Sequence, residues 1–179
     1  MSAGRTGFDQ PHELNVARIL ETLDRHGVAY LIVGGVAATI HGARRPTKDF
    51  DCMPARDAPN LRRLAGVLTE LGARLRVGGM TDEESKALGV VIDEVMLSRA
   101  QQTTWRTDAG DLDVLTEVAH REGRVGYEQL AHHAVSLRLD TIDVRLISLN
   151  DLIASKEAAN RDKDHEALPE LRRLRAEGP

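Results

Sequence analysis

The amino-acid sequence predicts an α/β fold, in which helices flank a mixed, twisted sheet. Short apolar runs with a β-branched bias, such as Tyr30–Val33, alternate along the chain with amphipathic stripes at helical spacing. Glycine follows several of these stripes, as at Gly27 and Gly72, where it is typical of helix ends. Late in the chain, two alternating runs separated by a brief turn indicate a hairpin with one solvated face. Repeated alternation of helix and strand favours one sheet with helices packed on it.

The first half of the chain predicts three helices and three strands, after a polar start at residues 1–10 that we expect to fray. In order, these are a helix over residues 11–26, a strand over Tyr30–Val33, a short helix over residues 36–41, a strand over residues 49–53, a helix over residues 57–71 and a strand over residues 73–77. The helix over residues 57–71 carries leucines at helical spacing, a stripe that suits packing on a sheet.

The second half begins with its least regular part, residues 78–102. Three acidic residues at 82–84 predict the start of a short helix, and residues 90–97 are compatible with helix or strand. Such an insert is either a lid or substrate loop, or a surface elaboration without a role. The elements predicted after it are strands over residues 103–106 and Gly110–Leu115, a helix over residues 126–133, a hairpin over residues 135–146, a helix capped by Ser148, and a last helix that Pro169 kinks or restarts.

Composition limits the classes of function. With 179 residues, 41% of them hydrophobic, the chain is long enough for one domain with an ordinary core. A net charge of −4 and only 3% aromatic residues argue against a general nucleic-acid-binding protein, although a local basic groove stays open. The single cysteine excludes an internal disulfide and a cysteine-based zinc cluster. Neither a signal peptide nor an apolar run of membrane-spanning length is visible, so we expect a cytoplasmic protein without a membrane partner.

The most informative stretch lies between residues 30 and 54, where the pair Gly34-Gly35 precedes the triplet Asp49-Phe50-Asp51 by a spacer of 13 residues. Glycines at a strand-to-helix turn expose backbone N–H groups to anions such as phosphate. Asp49 and Asp51 occupy alternate strand positions, so their carboxylates share a face, with Cα atoms roughly 6.5 Å apart. Carboxylates at this spacing can hold a pair of divalent ions. The alternative, a solvated strand edge, is disfavoured because aspartate is rare in strands.

A third carboxylate is expected from a neighbouring strand, predicted over Gly110–Leu115. Asp111 and Asp113 share one face of that strand, and Asp113 lies deeper in it because apolar residues flank it on both sides. Both aspartates could instead be turn residues, since a glycine-aspartate pair is typical of turns. The residues alone leave these alternatives open.

Two basic groups are candidates for phosphate contact. Arg44, Arg45 and Lys48 fill the loop between the glycines and the aspartates, where they could contact a triphosphate or form an ordinary solvated loop. In the later segment over residues 155–164, helical spacing places Lys156 and Lys163 on one side. From the residues alone, this second group is better interpreted as a salt-bridged, exposed helix.

The glycine pair, the spacer and the Asp-Phe-Asp triplet together resemble the signature of the polymerase-beta-type nucleotidyltransferase superfamily. Within it, the chain is most similar to the AbiEii/MenT-type nucleotidyltransferases, many of which are toxins of toxin–antitoxin systems. The resemblance extends from about Leu31 to Leu171 and is sharp at three short motifs. Many members carry a serine where this chain has Gly35, so backbone N–H groups would replace a hydroxyl at the phosphates.

The resemblance implies a role for each site residue. Asp49, Asp51 and Asp113 would bind two Mg²⁺ ions, with Asp113 chosen as general base or third ligand because the family places an acid between apolar residues there. Lys156 would hold the nucleotide phosphates as a fourth catalytic residue, and Asp164 would orient it or an arginine. The residues expected to bind the nucleotide are Gly34, Gly35, Arg44, Arg45, Lys48, Arg161 and Asp164.

The resemblance also implies the reaction and its partners. A hydroxyl group would attack an NTP, taking the nucleoside monophosphate and releasing pyrophosphate. The expected acceptor is the 3′ end of tRNA, approached by a basic ridge at residues 161–175, and the protein would then be a toxin with a cognate antitoxin. The first alternative is an antibiotic or protein acceptor, and the second is a non-catalytic, NTP-binding regulatory or antitoxin component. We expect a catalytic core over residues 1–147 and a C-terminal helical segment over residues 148–179 that closes the cleft.

Overall fold

A seven-stranded mixed sheet runs through residues 13–178, the part of the chain that the computed structural model describes. Its strands, in chain order, are β1 Tyr30–Val33, β2 Asp49–Pro54, β3 Arg74–Leu75, β4 Gln102–Thr107, β5 Gly110–Leu115, β8 Val135–Leu139 and β9 Ile142–Leu146, and a separate hairpin is formed by β6 Glu117–His120 and β7 Gly123–Gly126. The strand order is β3-β4-β5-β2-β1-β9-β8. The predicted α/β fold with a mixed sheet is confirmed.

Eight helices surround these strands within the described residues. They are α1 Val16–Arg25, α2 Gly34–Ile40, α3 Ala58–Glu70, α4 Asp82–Ala87, α5 Glu94–Arg99, α6 Tyr127–Ala131, α7 Leu149–Ala159 and α8 Asp162–Glu177. The last two pack against each other, and α7 also packs on α2 and β6. No helix of residues 13–178 combines the length and apolarity that crossing a membrane would require.

The pairing of β2 with β5 separates the sheet into an apolar and a polar face. Phe50 lies opposite Leu112, and Leu112 lies opposite Trp105, and all three side chains are fully buried. Cys52 alternates with the aspartates and is buried on the same apolar side. Because side chains alternate along a strand, the aspartates of β2 and β5 must point to the opposite face. Burial of the aromatic side chains therefore fixes the direction of the carboxylates.

Several predicted boundaries were wrong. The first helix begins at Val16 rather than at residue 11, because the Asn15 side chain caps it by accepting from the Arg18 N–H at 2.9 Å; residues 11 and 12 lie outside the described part. The second helix includes both glycines and starts at Gly34. Strand β3 has two residues instead of five. Helix α8 does not restart at Pro169, because it is one continuous helix from Asp162 to Glu177.

Two further differences concern segments that the sequence left weakly defined. Residues 90–97 form neither a single helix nor a strand, because Asp93 caps a helix that begins at Glu94. The hairpin of β6 and β7 was not predicted, and β7 takes the first residue of the helix predicted over 126–133. The two strands of this hairpin have four residues each and little alternation of apolar and polar residues, so the period-two pattern that would predict them is weak.

Candidate active site

Asp49, Asp51 and Asp113 converge in one pocket on the polar face of the sheet. Strands β2 and β5 are parallel neighbours, and their register places Asp51 opposite Asp113 and Asp49 opposite Asp111. Neighbouring strands lie about 4.8 Å apart, so carboxylates on opposing residues are close to each other. The pocket has a volume of about 750 Å³, and all three of these carboxylates line it. The sequence prediction that they share a face is thus met by the geometry.

Glycine is required where the chain turns over the aspartates. Gly34 has a φ of +64°, and a Cβ atom there would lie 1.9 Å from Oδ2 of Asp51. A Cβ atom at Gly35 would lie 2.3 Å from the Thr47 hydroxyl. The Gly35 backbone N–H donates a hydrogen bond to Asp51. Both glycines therefore contribute through close packing, which positions Asp51 in the pocket.

Thr47 is a site residue that the sequence analysis passed over as part of a basic loop. Its hydroxyl group lies 3.0 Å from Oδ1 of Asp49, to which it donates a hydrogen bond. The same hydroxyl group lies beside Gly35, where a Cβ atom would come within 2.3 Å of it. A threonine two residues before the first aspartate is a visible signal, since short polar side chains commonly hydrogen-bond nearby residues.

Burial and mutual repulsion shift the protonation of the carboxylates. The pKa of Asp51 is raised to about 7, first by burial and then by the nearby charges of Asp49 and Asp113, against the lowering effects of the Gly35 N–H and of Lys163. Burial also raises the pKa of Asp113, and a hydrogen bond from the Thr104 side chain counteracts this. Oδ1 of Asp113 is buried without a hydrogen-bond partner. A cation in the pocket would reduce the repulsion between the carboxylates and would give the unpaired oxygen of Asp113 a partner.

Asp111 has a different environment from Asp113, although both lie on β5. It accepts hydrogen bonds from Arg76 at 2.8 Å and from Arg106 at 3.2 Å. It is absent from the lining of the large pocket, whereas Asp113 belongs to it. Of the two acids that the sequence left open, the geometry favours Asp113 as the third carboxylate of the site.

The donor chemistry of the pocket fits Mg²⁺ held jointly by protein and nucleotide. Within residues 13–178, no group of three or more histidine, cysteine, aspartate or glutamate side chains is arranged to hold a metal ion by itself. Mg²⁺ usually takes one or two carboxylates together with substrate phosphates, and rarely an all-protein cage. Asp49, Asp51 and the unpartnered oxygen of Asp113 supply the carboxylate part of such a set.

Cationic side chains surround the carboxylates on the other walls of the pocket. The six that line it are Arg45, Lys48, Arg124, Lys156, Arg161 and Lys163. Arg44 does not line it, and its backbone N–H donates to Glu170 at 3.0 Å instead. Lys163 was expected to reach solvent or an RNA backbone, but it lies close enough to lower the pKa of Asp51. Lys163 is exposed, as expected, and it also lines the pocket.

Asp164 is a fully buried carboxylate that holds two of these cations in place. It accepts from Lys156 Nζ at 3.1 Å and from Arg161 Nε at 2.8 Å. Burial by itself raises the pKa of Asp164, but the hydrogen bonds from Arg161 and Lys156 lower it more, so the group stays charged. It does not line the pocket itself, which matches the expected role of orienting Lys156.

The hairpin of β6 and β7 forms a wall that sequence patterns did not predict. Glu117, Val118, Ala119 and Arg124 line the pocket from this hairpin. Glu117 and Arg124 form an ion pair across its two strands. The hairpin packs on α7, so it bounds the pocket on the side of Lys156.

Comparison with solved structures places the fold among nucleotidyltransferases. A lincosamide antibiotic adenylyltransferase, LnuA, with lincomycin bound, has a TM-score of 0.60 at 13% identity, over 91% of this chain and 99% of that chain. The solution structure of the antibiotic-resistance factor ANT(2'')-Ia has a TM-score of 0.53 at 15% identity, over 90% of this chain and 87% of that chain. Its complex with adenylyl-2''-tobramycin gives 0.52 at 16% identity, over 90% and 92%.

At such identities the likeness shows the shared fold. The predicted nucleotidyltransferase fold is therefore confirmed. The narrower assignment to the AbiEii/MenT type stays a prediction. No protein-family model matches the chain, and no curated protein matches it either.

Removing one charge from the carboxylate group should stabilise the metal-free protein. We expect Asp51→Asn to raise the free energy of unfolding at pH 8 by about 1 kcal/mol, or about 2–4 °C in Tm for a domain of this size, because it removes buried repulsion without changing volume. Thermal unfolding with a chelator present measures this.

Asp111→Asn provides the matched control on the same face. It should lower stability by about 1–3 kcal/mol, since Arg106 would lose a charged partner in a buried position. An Asp51→Asn protein that unfolds at a lower temperature than wild type would contradict the repulsion inferred here.

Proposed function

We propose that this protein transfers a nucleotidyl group from a nucleoside triphosphate to a hydroxyl acceptor. The observation that carries the proposal is the convergence of Asp49, Asp51 and Asp113 in a pocket whose lining also includes six cationic side chains. A volume of about 750 Å³ suits a nucleotide. The fold, shared with antibiotic adenylyltransferases, supports the same activity.

The cationic side chains and the carboxylates have different roles in this proposal. Lys156, Arg161 and Lys163 bind the phosphates, and the fixed position of Lys156 on Asp164 reduces the entropy that this binding costs. Asp49 and Asp51 hold divalent ions, proposed to be two Mg²⁺, which when bound stabilise negative charge on the phosphate oxygens. Arg45 lies where it can neutralise charge on the leaving pyrophosphate.

Asp113 serves as general base in this proposal. The acceptor oxygen forms a bond to the α-phosphorus, the bond between the α- and β-phosphates breaks, and pyrophosphate leaves with the electron pair. The hydroxyl proton passes to Asp113, whose raised pKa makes it a better proton acceptor than an exposed aspartate. The unpartnered oxygen Oδ1 has the hydrogen-bonding capacity that this step needs.

The acceptor proposed from the sequence is the 3′ end of tRNA, with the protein acting as a toxin that a cognate antitoxin neutralises. Part of the basic ridge expected to bind RNA is neutralised within the fold. Arg172 pairs with Glu157 at 2.9 Å, and Arg173 lies 3.7 Å from Glu177. Lys163 faces the nucleotide pocket. These contacts weaken the attraction for a phosphate backbone that the sequence alone suggested.

A small hydroxylated molecule is the second candidate acceptor. A separate cavity of about 300 Å³, a size suited to a small molecule, opens on the same face of the sheet as the carboxylates. Proteins of this fold include adenylyltransferases of small antibiotics.

Loss of the third carboxylate should abolish transfer. We expect Asp113→Asn to lower Mg²⁺-dependent pyrophosphate release from NTP at least about 100-fold, because amide nitrogen and oxygen cannot accept the hydroxyl proton. Asp49→Asn should be equally damaging. Activity of Asp113→Asn within threefold of wild type would exclude the role given to it, and NTP binding without pyrophosphate release in the wild type would identify a non-catalytic binding module instead.

The tRNA hypothesis predicts a salt-dependent reaction. Wild-type protein incubated with total tRNA and each labelled NTP in turn should label RNA, with a rate that falls steeply as salt rises. A charge reversal at Arg172, Arg173 and Arg175 to glutamate should reduce RNA labelling and keep NTP binding. Absence of RNA labelling with every NTP, in protein that releases pyrophosphate with another acceptor, would contradict a tRNA target.

A further inference from the structure

A second cavity lies on the polar face of the sheet, outside the nucleotide pocket. It has a volume of about 300 Å³ and is lined by the segment 76–82, by Ser85 and by two residues of β4, Thr104 and Arg106. Strand β4 pairs with β5, so this cavity is one strand further along the sheet than Asp113. It was offered above as a place for a small hydroxylated acceptor, and its lining narrows the chemistry of that molecule.

One residue of the cavity wall, Thr104, is the cross-strand neighbour of the third carboxylate. Thr104 lies directly opposite Asp113 in the register of β4 and β5, and opposing Cα atoms in antiparallel strands are about 4.5–5.5 Å apart. The Thr104 side chain hydrogen-bonds Asp113. A molecule that extends from the cavity past Thr104 would therefore bring a hydroxyl group to Asp113, which lines the edge of the nucleotide pocket.

The charges around the cavity are paired. Arg76 lies 2.8 Å from Asp111, and Arg106 lies 3.2 Å from Asp111 and 3.4 Å from Asp82. The two cations that line the cavity thus each have a carboxylate partner. A phosphorylated ligand would have to compete with these carboxylates, whereas a neutral ligand leaves the pairs intact.

The remaining surface offers hydrogen-bonding groups of both kinds and an apolar side. Arg76 is a donor with a half-exposed side chain, and the Asp82 carboxylate is an acceptor at the cavity wall. Val77 and Met80 are 38% and 37% exposed, which is high for large apolar side chains. Hydroxyl groups both donate and accept hydrogen bonds, and a sugar ring presents them together with an apolar face of C–H groups.

We propose that this cavity is the acceptor subsite and that its ligand is a neutral, polyhydroxylated small molecule of about the size of one sugar ring, whose hydroxyl group is presented to Asp113. The inference rests on the proposed nucleotidyl transfer for the reaction, but the binding of the ligand class is independent of it. Asp82 and Arg76 would recognise the hydroxyl groups, and Met80 would cover the apolar face. Asp82 and Met80 are then residues that determine acceptor specificity.

Binding is tested by saturation-transfer NMR on the full chain without nucleotide, using three probes of similar size or larger and different charge. These are methyl α-D-glucopyranoside, glucose 6-phosphate and tobramycin. We expect saturation transfer to the neutral glucoside at millimolar concentration and a weaker effect on the phosphate. Asp82→Asn should weaken glucoside binding at least about fivefold, because an amide replaces a charged acceptor, and Met80→Trp should abolish it by filling the cavity.

Glu83→Gln is the matched control, since Glu83 is exposed, adjacent in sequence and outside the cavity lining. It should bind the glucoside like the wild type, and thermal unfolding of each variant verifies that it is folded. No transfer to the glucoside in the wild type, or preference for the phosphate or for tobramycin, would overturn the proposed ligand class. Equal binding by wild type and both cavity variants would overturn the site.

The reaction is assayed separately, as glucoside-stimulated pyrophosphate release from NTP and Mg²⁺. Stimulation in the wild type, with a raised KM for the glucoside and a similar kcat in Asp82→Asn, supports the acceptor role. Binding that depends on Asp82 together with no pyrophosphate release under any condition would instead refute the nucleotidyl transfer while leaving the ligand site in place. Labelling of tRNA without any stimulation by the glucoside would overturn the acceptor assignment.

Discussion

Three carboxylates on two neighbouring strands, Asp49, Asp51 and Asp113, repel one another in a pocket where each is partly buried. Such a group is costly in a folded protein unless each charge is compensated. Much of the surrounding structure supplies that compensation. The Gly35 N–H and Lys163 act on Asp51, and the Thr104 side chain acts on Asp113. The Thr47 hydroxyl bonds to Asp49. Among these carboxylates, one oxygen of Asp113 is buried without a hydrogen-bond partner, so a ligand that binds this oxygen gains the most binding free energy.

The face opposite the carboxylates is largely apolar, and its burial offsets the cost of their repulsion. Phe50, Leu112 and Trp105 form a continuous row across β2, β5 and β4 and are excluded from solvent. A slip of one residue in either strand would exchange this row with the aspartates, so the core fixes the register that brings the carboxylates together. The same register sets Thr104, which lines the second cavity, beside Asp113, which lines the nucleotide pocket.

The sequence predicted those parts of the site that depend on local spacing. Alternation within β2 and β5 is a property of any strand, so the shared face of Asp49 and Asp51 followed from their positions. The structural distinction between Asp111 and Asp113 depends on arginines of other segments, because Arg76 and Arg106 form ion pairs with Asp111. The nearness of Lys163 to Asp51 was not predicted, because it depends on how α8 meets the sheet, which no local pattern contains. The β6–β7 hairpin has strands too short for a clear period.

The central claim is that Asp49 and Asp51 bind the nucleotide through a divalent cation, with Asp113 beside them in the same pocket. Calorimetric titration of the wild type with a non-hydrolysable NTP analogue, with Mg²⁺ and then with a chelator, tests it most directly, with Asp51→Asn measured alongside. The account predicts that Mg²⁺ tightens binding by at least about tenfold, or 1.4 kcal/mol, in the wild type and that this gain disappears in Asp51→Asn. Equal affinity with and without Mg²⁺, or an undiminished gain in Asp51→Asn, would contradict it.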